Sequence, residues 1–129
     1  MVPAIAETSE QNGVTLVRLG NGYDAIDEVN VEPILELLLD LADTADPPKL
    51  VIDLSRITFF ASSFLEALFR VWNRLNRRNG RFALCGLTEY CAEVLQVSRL
   101  DTLWDLYADT ESASGALGDS DSKTSGQAD

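Results

Sequence analysis

Apolar and polar positions along this chain fall into short blocks whose spacing alternates between strand and helix periods. Val14-Thr-Leu-Val-Arg-Leu19 is β-branched and apolar and lies between Asn12-Gly13 and Gly20-Asn21-Gly22, so it reads as a strand. A weaker strand near Pro3–Glu7 precedes it, and the two form a hairpin. From Asn30 to Ala42 the residues Ile34, Leu35, Leu37, Leu38, Leu39 and Leu41 predict a helix that ends before Asp46-Pro47-Pro48. Pro33 lies in its first turn, where a missing N–H costs little, and Glu36 and Asp40 mark the wet side. Leu50-Val-Ile-Asp-Leu54 reads as a central strand buried on both faces. Ser63 to Asn79 carries the strongest helical pattern. Phe64, Leu65, Leu68, Phe69, Val71, Trp72 and Leu75 share one sector, and Arg70, Asn73, Arg74 and Arg77 lie opposite. Asn79-Gly80 is its C-terminal stop. Arg81–Cys85 is a further strand. Thr88 to Val97 is a helix with Thr88 as N-cap and Tyr90, Cys91, Val94 and Leu95 inward, and Leu103–Tyr107 is a last strand.

From Ala108 onward the composition turns to Ser, Gly, Asp and Ala, and Leu117 is the one large apolar residue. The pattern therefore divides into a folded domain over residues 1–108 and an acidic, Ser/Gly-rich tail over 109–129. The tail is expected to be disordered apart from a weak turn of helix at Ser112–Leu117. Alternating βα units of this length predict a single α/β domain. Its sheet is mixed but mostly parallel, with an antiparallel edge hairpin and helices packed against it. In such folds partners dock at the loops beyond the C-terminal ends of the parallel strands.

Composition narrows the function. The chain has 129 residues, 46% of them hydrophobic, which suits one core. It has no histidine, which removes the commonest general base, the histidine-dependent triads and most zinc sites. Cys85 and Cys91 have five residues between them and apolar neighbours, so they read as buried thiols and not as a redox or metal pair. The formal charge of −11 disfavours nucleic acid and anionic membranes. Charge is uneven: residues 1–53 carry −9, residues 54–81 carry +5 and residues 82–129 carry −7. No apolar run is long enough to span a membrane, and Met1–Gln11 lacks the basic and apolar regions of a signal peptide. These features predict a cytoplasmic protein that is not an enzyme, holds no metal or cofactor and does not insert into a membrane. They leave self-association open.

The segment Leu50–Leu68 bears the most specific chemistry. After the buried strand and the link Ile57-Thr-Phe-Phe60, the hydroxyl residues Ser62 and Ser63 open a helix. Ser63-Phe-Leu-Glu66 has the spacing of a capping box. Ser62 precedes that cap, where free N–H groups and the positive end of the helix dipole tolerate a phosphate of about −2 charge. Plain capping and a phosphate switch are the two readings of this loop.

Val14–Leu19 with Gly20 and Asp24, Leu50-Val-Ile-Asp-Leu-Ser55, Phe60-Ala-Ser-Ser-Phe-Leu65 with Leu68, Asn79-Gly-Arg-Phe-Ala-Leu-Cys-Gly86, and Val94-Leu95 followed by Leu100-Asp-Thr-Leu-Trp104 form an ordered series. The series resembles the STAS domain family, over roughly residues 2–108. The resemblance implies a binding module of the anti-sigma factor antagonist type. Its partner is an anti-sigma factor that is also a serine kinase, and phosphorylation releases it. The family's phosphoacceptor maps to Ser62, its acidic partner-facing residue maps to Asp24, and Phe60, Ser63 and Phe64 join the implied partner contacts. Two positions depart from the family motif: Ala61 stands where it has Asp, and Phe64 where it has Gly. Phe64 either packs inward or projects an apolar contact. The alternative is a member that is not phosphorylated and serves as a scaffold or as a subunit of an ABC-type lipid transport complex.

Arg70, Arg74, Arg77 and Arg78 read either as a solvated helix face, supported by a Glu66–Arg70 pair, or as a docking stripe for an acidic partner. Trp72 and Trp104 read as core or core edge. Asp24, Asp27 and Glu28 read as a solvated acidic loop.

Overall fold

The computed structural model describes residues 6–126. In chain order the elements are β1 (Ala6–Gln11), β2 (Val14–Leu19), β3 (Ala25–Ile26), α1 (Val31–Thr44), β4 (Lys49–Asp53), β5 (Phe59–Phe60), α2 (Ser62–Asn76), β6 (Arg81–Cys85), α3 (Glu89–Val97), a 3-10 turn at Leu100–Thr102, β7 (Asp105–Tyr107) and α4 (Thr110–Gly126). The main sheet runs β1-β2-β4-β6-β7. β1 and β2 are antiparallel and every other neighbour pair is parallel, the mixed sheet with an edge hairpin that the pattern predicts.

Among the described residues the hairpin's first strand covers Ala6–Gln11; it includes Ala6 and Glu7 of the expected strand and runs on to the turn, and the part of that expected strand before Ala6 falls outside the described residues. The turn sets this register. Asn12 (φ 55°) and Gly13 (φ 77°) both adopt the left-handed conformation of a two-residue turn, which pairs Gln11 with Val14. As an edge strand β1 is polar, with Glu7, Thr8, Ser9, Glu10 and Gln11 all exposed. At the C-terminal end of α2, Asn79 is left-handed (φ 57°) and the Gly80 N–H returns to Leu75 O at 2.8 Å, the stop expected there.

Strand β4 is buried along its whole length and pairs on both edges. Its two faces meet different cores. Leu50 and Ile52, with Val17, Leu19, Phe82 and Leu84, pack against the apolar faces of α1, α2 and α3. Val51, with Val14, Leu16, Ala83 and Cys85, packs on Ala113 and Leu117 of α4.

That second core corrects the expectation of a disordered tail from residue 109. The chain from Thr110 is helical, and Ala113 and Leu117, four residues apart, are fully buried. Asp109 caps the helix by accepting the Ser112 N–H at 2.8 Å. The buried Lys49 donates its Nζ to Leu117 O at 3.0 Å. A helix this poor in apolar residues is ordered because the strand face beneath it supplies the hydrophobic surface it lacks. Gly118 lies so close to the β1–β2 turn that a Cβ there would sit 2.9 Å from Asn12 Cβ. Among the described residues no helix is long and apolar enough to cross a membrane.

Two tests follow from this packing. Gly86 (φ 67°) leaves no room for a Cβ, which would lie 2.8 Å from Asp53 Oδ1. Gly86→Ala is expected to cost about 1–3 kcal/mol, read as a lower urea midpoint with unchanged m-value. The Ser112 N–H holds the Asp109 carboxyl below its ordinary value. A carboxylate whose pKa is depressed by folding stabilises above its unfolded value, near pH 4, and loses that contribution as the pH falls through the lowered value. Amide exchange in the first turn of α4 should therefore be constant from about pH 5 to 8 once corrected for intrinsic rate, and should accelerate under acid. Asp109→Asn should remove that acid step.

Candidate functional site

The site is built on the segment that leaves β4. Leu54 donates its N–H to Cys85 O at 2.9 Å, and Ile57 donates to Leu54 O at 3.0 Å, turning the chain over the C-terminal end of the sheet. The link then forms β5, which pairs in parallel with β3 in the register Ala25 to Phe59 and Ile26 to Phe60. Thr58 donates both its N–H (2.8 Å) and its Oγ1 (3.2 Å) to Asp24 O, and Ala61 donates its N–H to Ile26 O at 2.9 Å. This two-stranded ribbon is absent from the sequence reading. It fastens the loop carrying Asp24 to the loop carrying Ser62, and so brings the two expected polar positions to one end of the domain.

Asp24 is exposed. Asp27 is half-buried and its Oδ1 accepts the Val29 N–H at 2.9 Å, so it organises its own turn. Ser62 is exposed and is the first residue of α2. Its N–H belongs to the first turn, whose unpaired donors form the positive end of the helix dipole, although the Phe64 N–H bonds to Ala61 O at 3.0 Å.

Ser63 does not cap the helix, contrary to the capping-box expectation. Ala61 occupies the N-cap in extended conformation, and no side chain caps this end. Because β3 pins the Ala61 amide, the helix begins at Ser62 and Ser63 is already helical, a conformation in which a residue cannot serve as N-cap. The Ser63 Oγ is buried and has no hydrogen-bond partner among the described residues.

Phe60 and Phe64 are corrected as surface contacts. They are 2% and 0% exposed, and their rings pack on each other with centroids 5.4 Å apart. Phe64 falls on the inward stripe of α2 with Leu68, Val71 and Leu75. The exposed aromatics are Phe59 and Tyr90, at 43% and 42%, with centroids 5.5 Å apart. Successive side chains of a strand point to opposite faces, so the pairing that sends Phe60 inward sends Phe59 outward. Alternation within Phe59-Phe60 was the available signal, but without the ribbon the segment has no face. Tyr90, expected inward, lies at the exposed edge of α3 beside it.

Helix α3 is docked on the same loop. Thr88 occupies its N-cap, yet its Oγ1 donates to Ile57 O at 2.8 Å and not to the helix. The Cys91 thiol also reaches Ile57 O, at 3.5 Å. Burial raises the pKa of both thiols, that of Cys85 to about 12, so both stay protonated near neutral pH.

The arginine face of α2 is partly internal. Arg74 Nη1 lies 2.7 Å from Asp43 Oδ2, and Arg78 Nη1 donates to Ala42 O at 2.7 Å, both at the C-terminal end of α1. Among the described residues Glu66 and Arg70 form no ion pair within 4.0 Å. Trp104 is buried in an edge-to-face cluster with Phe69, Trp72 and Phe82.

Comparison with known proteins agrees with this architecture. The family model described as STAS domain matches residues 6–113. An anti-sigma-factor antagonist (STAS) domain protein from Planctomyces limnophilus is 36% identical, with a TM-score of 0.82, over 88% of this chain and 98% of that one. An anti-sigma factor antagonist from Mycobacterium paratuberculosis is 27% identical, with a TM-score of 0.72, over 87% and 92%. The Bacillus cell fate determinant SpoIIAA in its phosphorylated form shares the fold at 21% identity, with a TM-score of 0.61, over 84% and 95%. No curated protein matches the chain at a significant level.

The division between inner and outer aromatics is directly measurable. Phe64→Ala should cost about 3–5 kcal/mol in urea unfolding, since it empties a buried site. Phe59→Ala should cost less than about 1 kcal/mol, since its ring is already half in water.

Proposed function

The chain belongs to the STAS domain family, and from that footing we propose that it is an anti-sigma factor antagonist. In this reading it docks on an anti-sigma factor with serine-kinase activity, through the end of the domain that carries Asp24, Ser62 and the Phe59–Tyr90 pair. The observation that carries the reading is the exposed hydroxyl of Ser62 at the start of α2. The 36% identical relative supports it, because its description is that of an anti-sigma-factor antagonist.

The switch works through charge. An unmodified hydroxyl can enter an interface at the cost of one hydrogen bond. A phosphate brings about −2 charge and three acceptor oxygens, which the α2 N-terminus stabilises within the chain. The same group is costly to bury against an apolar partner surface and repels an acidic one. Two sequence departures are compatible with this. Phe64 stays inside the core and leaves the surface around Ser62 clear, and Ala61 adds no bulk there. Asp24, on the neighbouring loop, provides the acidic contact for the partner.

The test uses the cognate anti-sigma factor kinase, ATP and phosphosite mapping by mass spectrometry. Phosphate is expected on Ser62. Ser62→Asp should weaken binding to the unmodified kinase at least tenfold, roughly 1.4 kcal/mol, while Ser62→Ala stays within about twofold. Phosphate placed elsewhere, or wild-type affinity for Ser62→Asp, overturns the switch. Failure of the unmodified chain to bind the kinase overturns the antagonist reading itself.

A further inference from the structure

We propose that α3 presents a docking groove for a helical segment of a protein partner whose apolar side chains are flanked by lysine or arginine. The groove is about 270 Å³ and is lined by Tyr90, Glu93, Val94, Val97 and Ser98. Tyr90, Val94 and Val97 recur at i, i+4 and i+7, which places them on one stripe of the helix. A surface helix ordinarily turns such a stripe inward. Here Cys91 and Leu95 fill the core and Val94 is half-buried against it, while the two ends of the stripe are left outside, Tyr90 at 42% and Val97 at 78% exposed.

An apolar stripe that remains in water on a small domain marks a protein contact. Its length fixes the kind of occupant. Seven residues of helix span about 10 Å, two turns, the footprint of an amphipathic helix laid in a groove. The stripe also continues through Tyr90 onto the ring of Phe59, three positions before Ser62. The groove therefore reaches the loop that carries Ser62. In that respect the proposal rests on the docking end assigned above, though not on phosphorylation.

Charge selects among such helices. Glu89 and Glu93 lie four apart beside the stripe and both are exposed. Residues 82–98 contain no lysine or arginine, and the flanking bases, Arg81 and Arg99, lie outside α3. A partner helix with acidic flanks meets two carboxylates with no compensating cation on α3, and one with basic flanks pairs with them.

The groove is tested with the full chain and two labelled synthetic peptides in fluorescence anisotropy, at physiological ionic strength. Both peptides carry the same leucine face on an amphipathic helix. One has lysine flanks and the other glutamate flanks. The lysine peptide is expected to bind, and the glutamate peptide at least tenfold more weakly. Val97→Asp should lower affinity for the lysine peptide at least tenfold, and Glu89→Lys with Glu93→Lys should invert the preference. If Val97→Asp binds the lysine peptide as the wild type does, attraction to the chain's −11 charge explains the binding and the groove is refuted. Failure of the lysine peptide to bind, or equal binding of both, refutes it as well. Thermal melting checks that Val97→Asp folds, and Val97→Ala, expected to lose affinity in the same direction, replaces it if it does not. The peptides need neither kinase nor ATP. A chain that takes phosphate on Ser62 yet ignores both peptides keeps the antagonist reading and loses the groove.

Discussion

The structure depends on burying β4 from both sides. A parallel strand in mid-sheet satisfies its backbone on both edges, and its side chains must then find an apolar cover above and below. Leu50 and Ile52 find it in three helices, and Val51 finds it in the fourth. The two polar ends of the strand make the arrangement directional. Lys49 is buried and anchors α4 through Leu117 O. Asp53 is buried and receives Arg18 Nε and the Ser55 N–H, each at 2.9 Å. Asp53 gives up its water while Arg18 stays partly in solvent, so the pair adds less stability than its Coulomb energy suggests. Its effect here is to fix where the strand stops and where the loop toward Ser62 departs.

From that point the geometry of the functional end is set by a ribbon only two residues wide. The β3–β5 pairing holds the Ala61 amide, sets the first residue of α2, sends Phe60 into the core and leaves Phe59 on the surface. The same loop receives Thr88 and Cys91 from α3 through the carbonyl of Ile57. Ser62, Phe59 and Tyr90 thus ride on a braced platform, the usual arrangement for a recognition surface carried by loops on a rigid scaffold.

Surface charge contributes little to the stability of this molecule. Arg18 and Arg56 reach Glu7 on the edge strand at 3.9 Å and 3.4 Å, between side chains that are largely in solvent, and such pairs contribute little. Arg74 and Arg78 are spent on the α1–α2 contact. The net charge of the whole chain is −11, while Arg70 and Arg77 stay exposed on α2.

The order of the main-sheet strands and the first three helices was legible from residue pattern alone, because apolar period is a local property: Val14–Leu19, Arg81–Cys85 and the helices around Ile34, Leu68 and Leu95 announce themselves within a few residues. The family was legible only as a resemblance, carried by an ordered series of motifs along the chain. What the pattern could not decide were the features whose partners lie far along the chain. Thr58 meets Asp24 across 34 positions, and that meeting chooses which of two adjacent phenylalanines faces water and denies Ser63 its cap. Lys49 meets Leu117 across 68, and that contact, with the apolar strand face beside it, orders a segment whose own composition has no reason to fold. Local sequence sets the period of an element, but only the neighbour that covers it decides which side is inside.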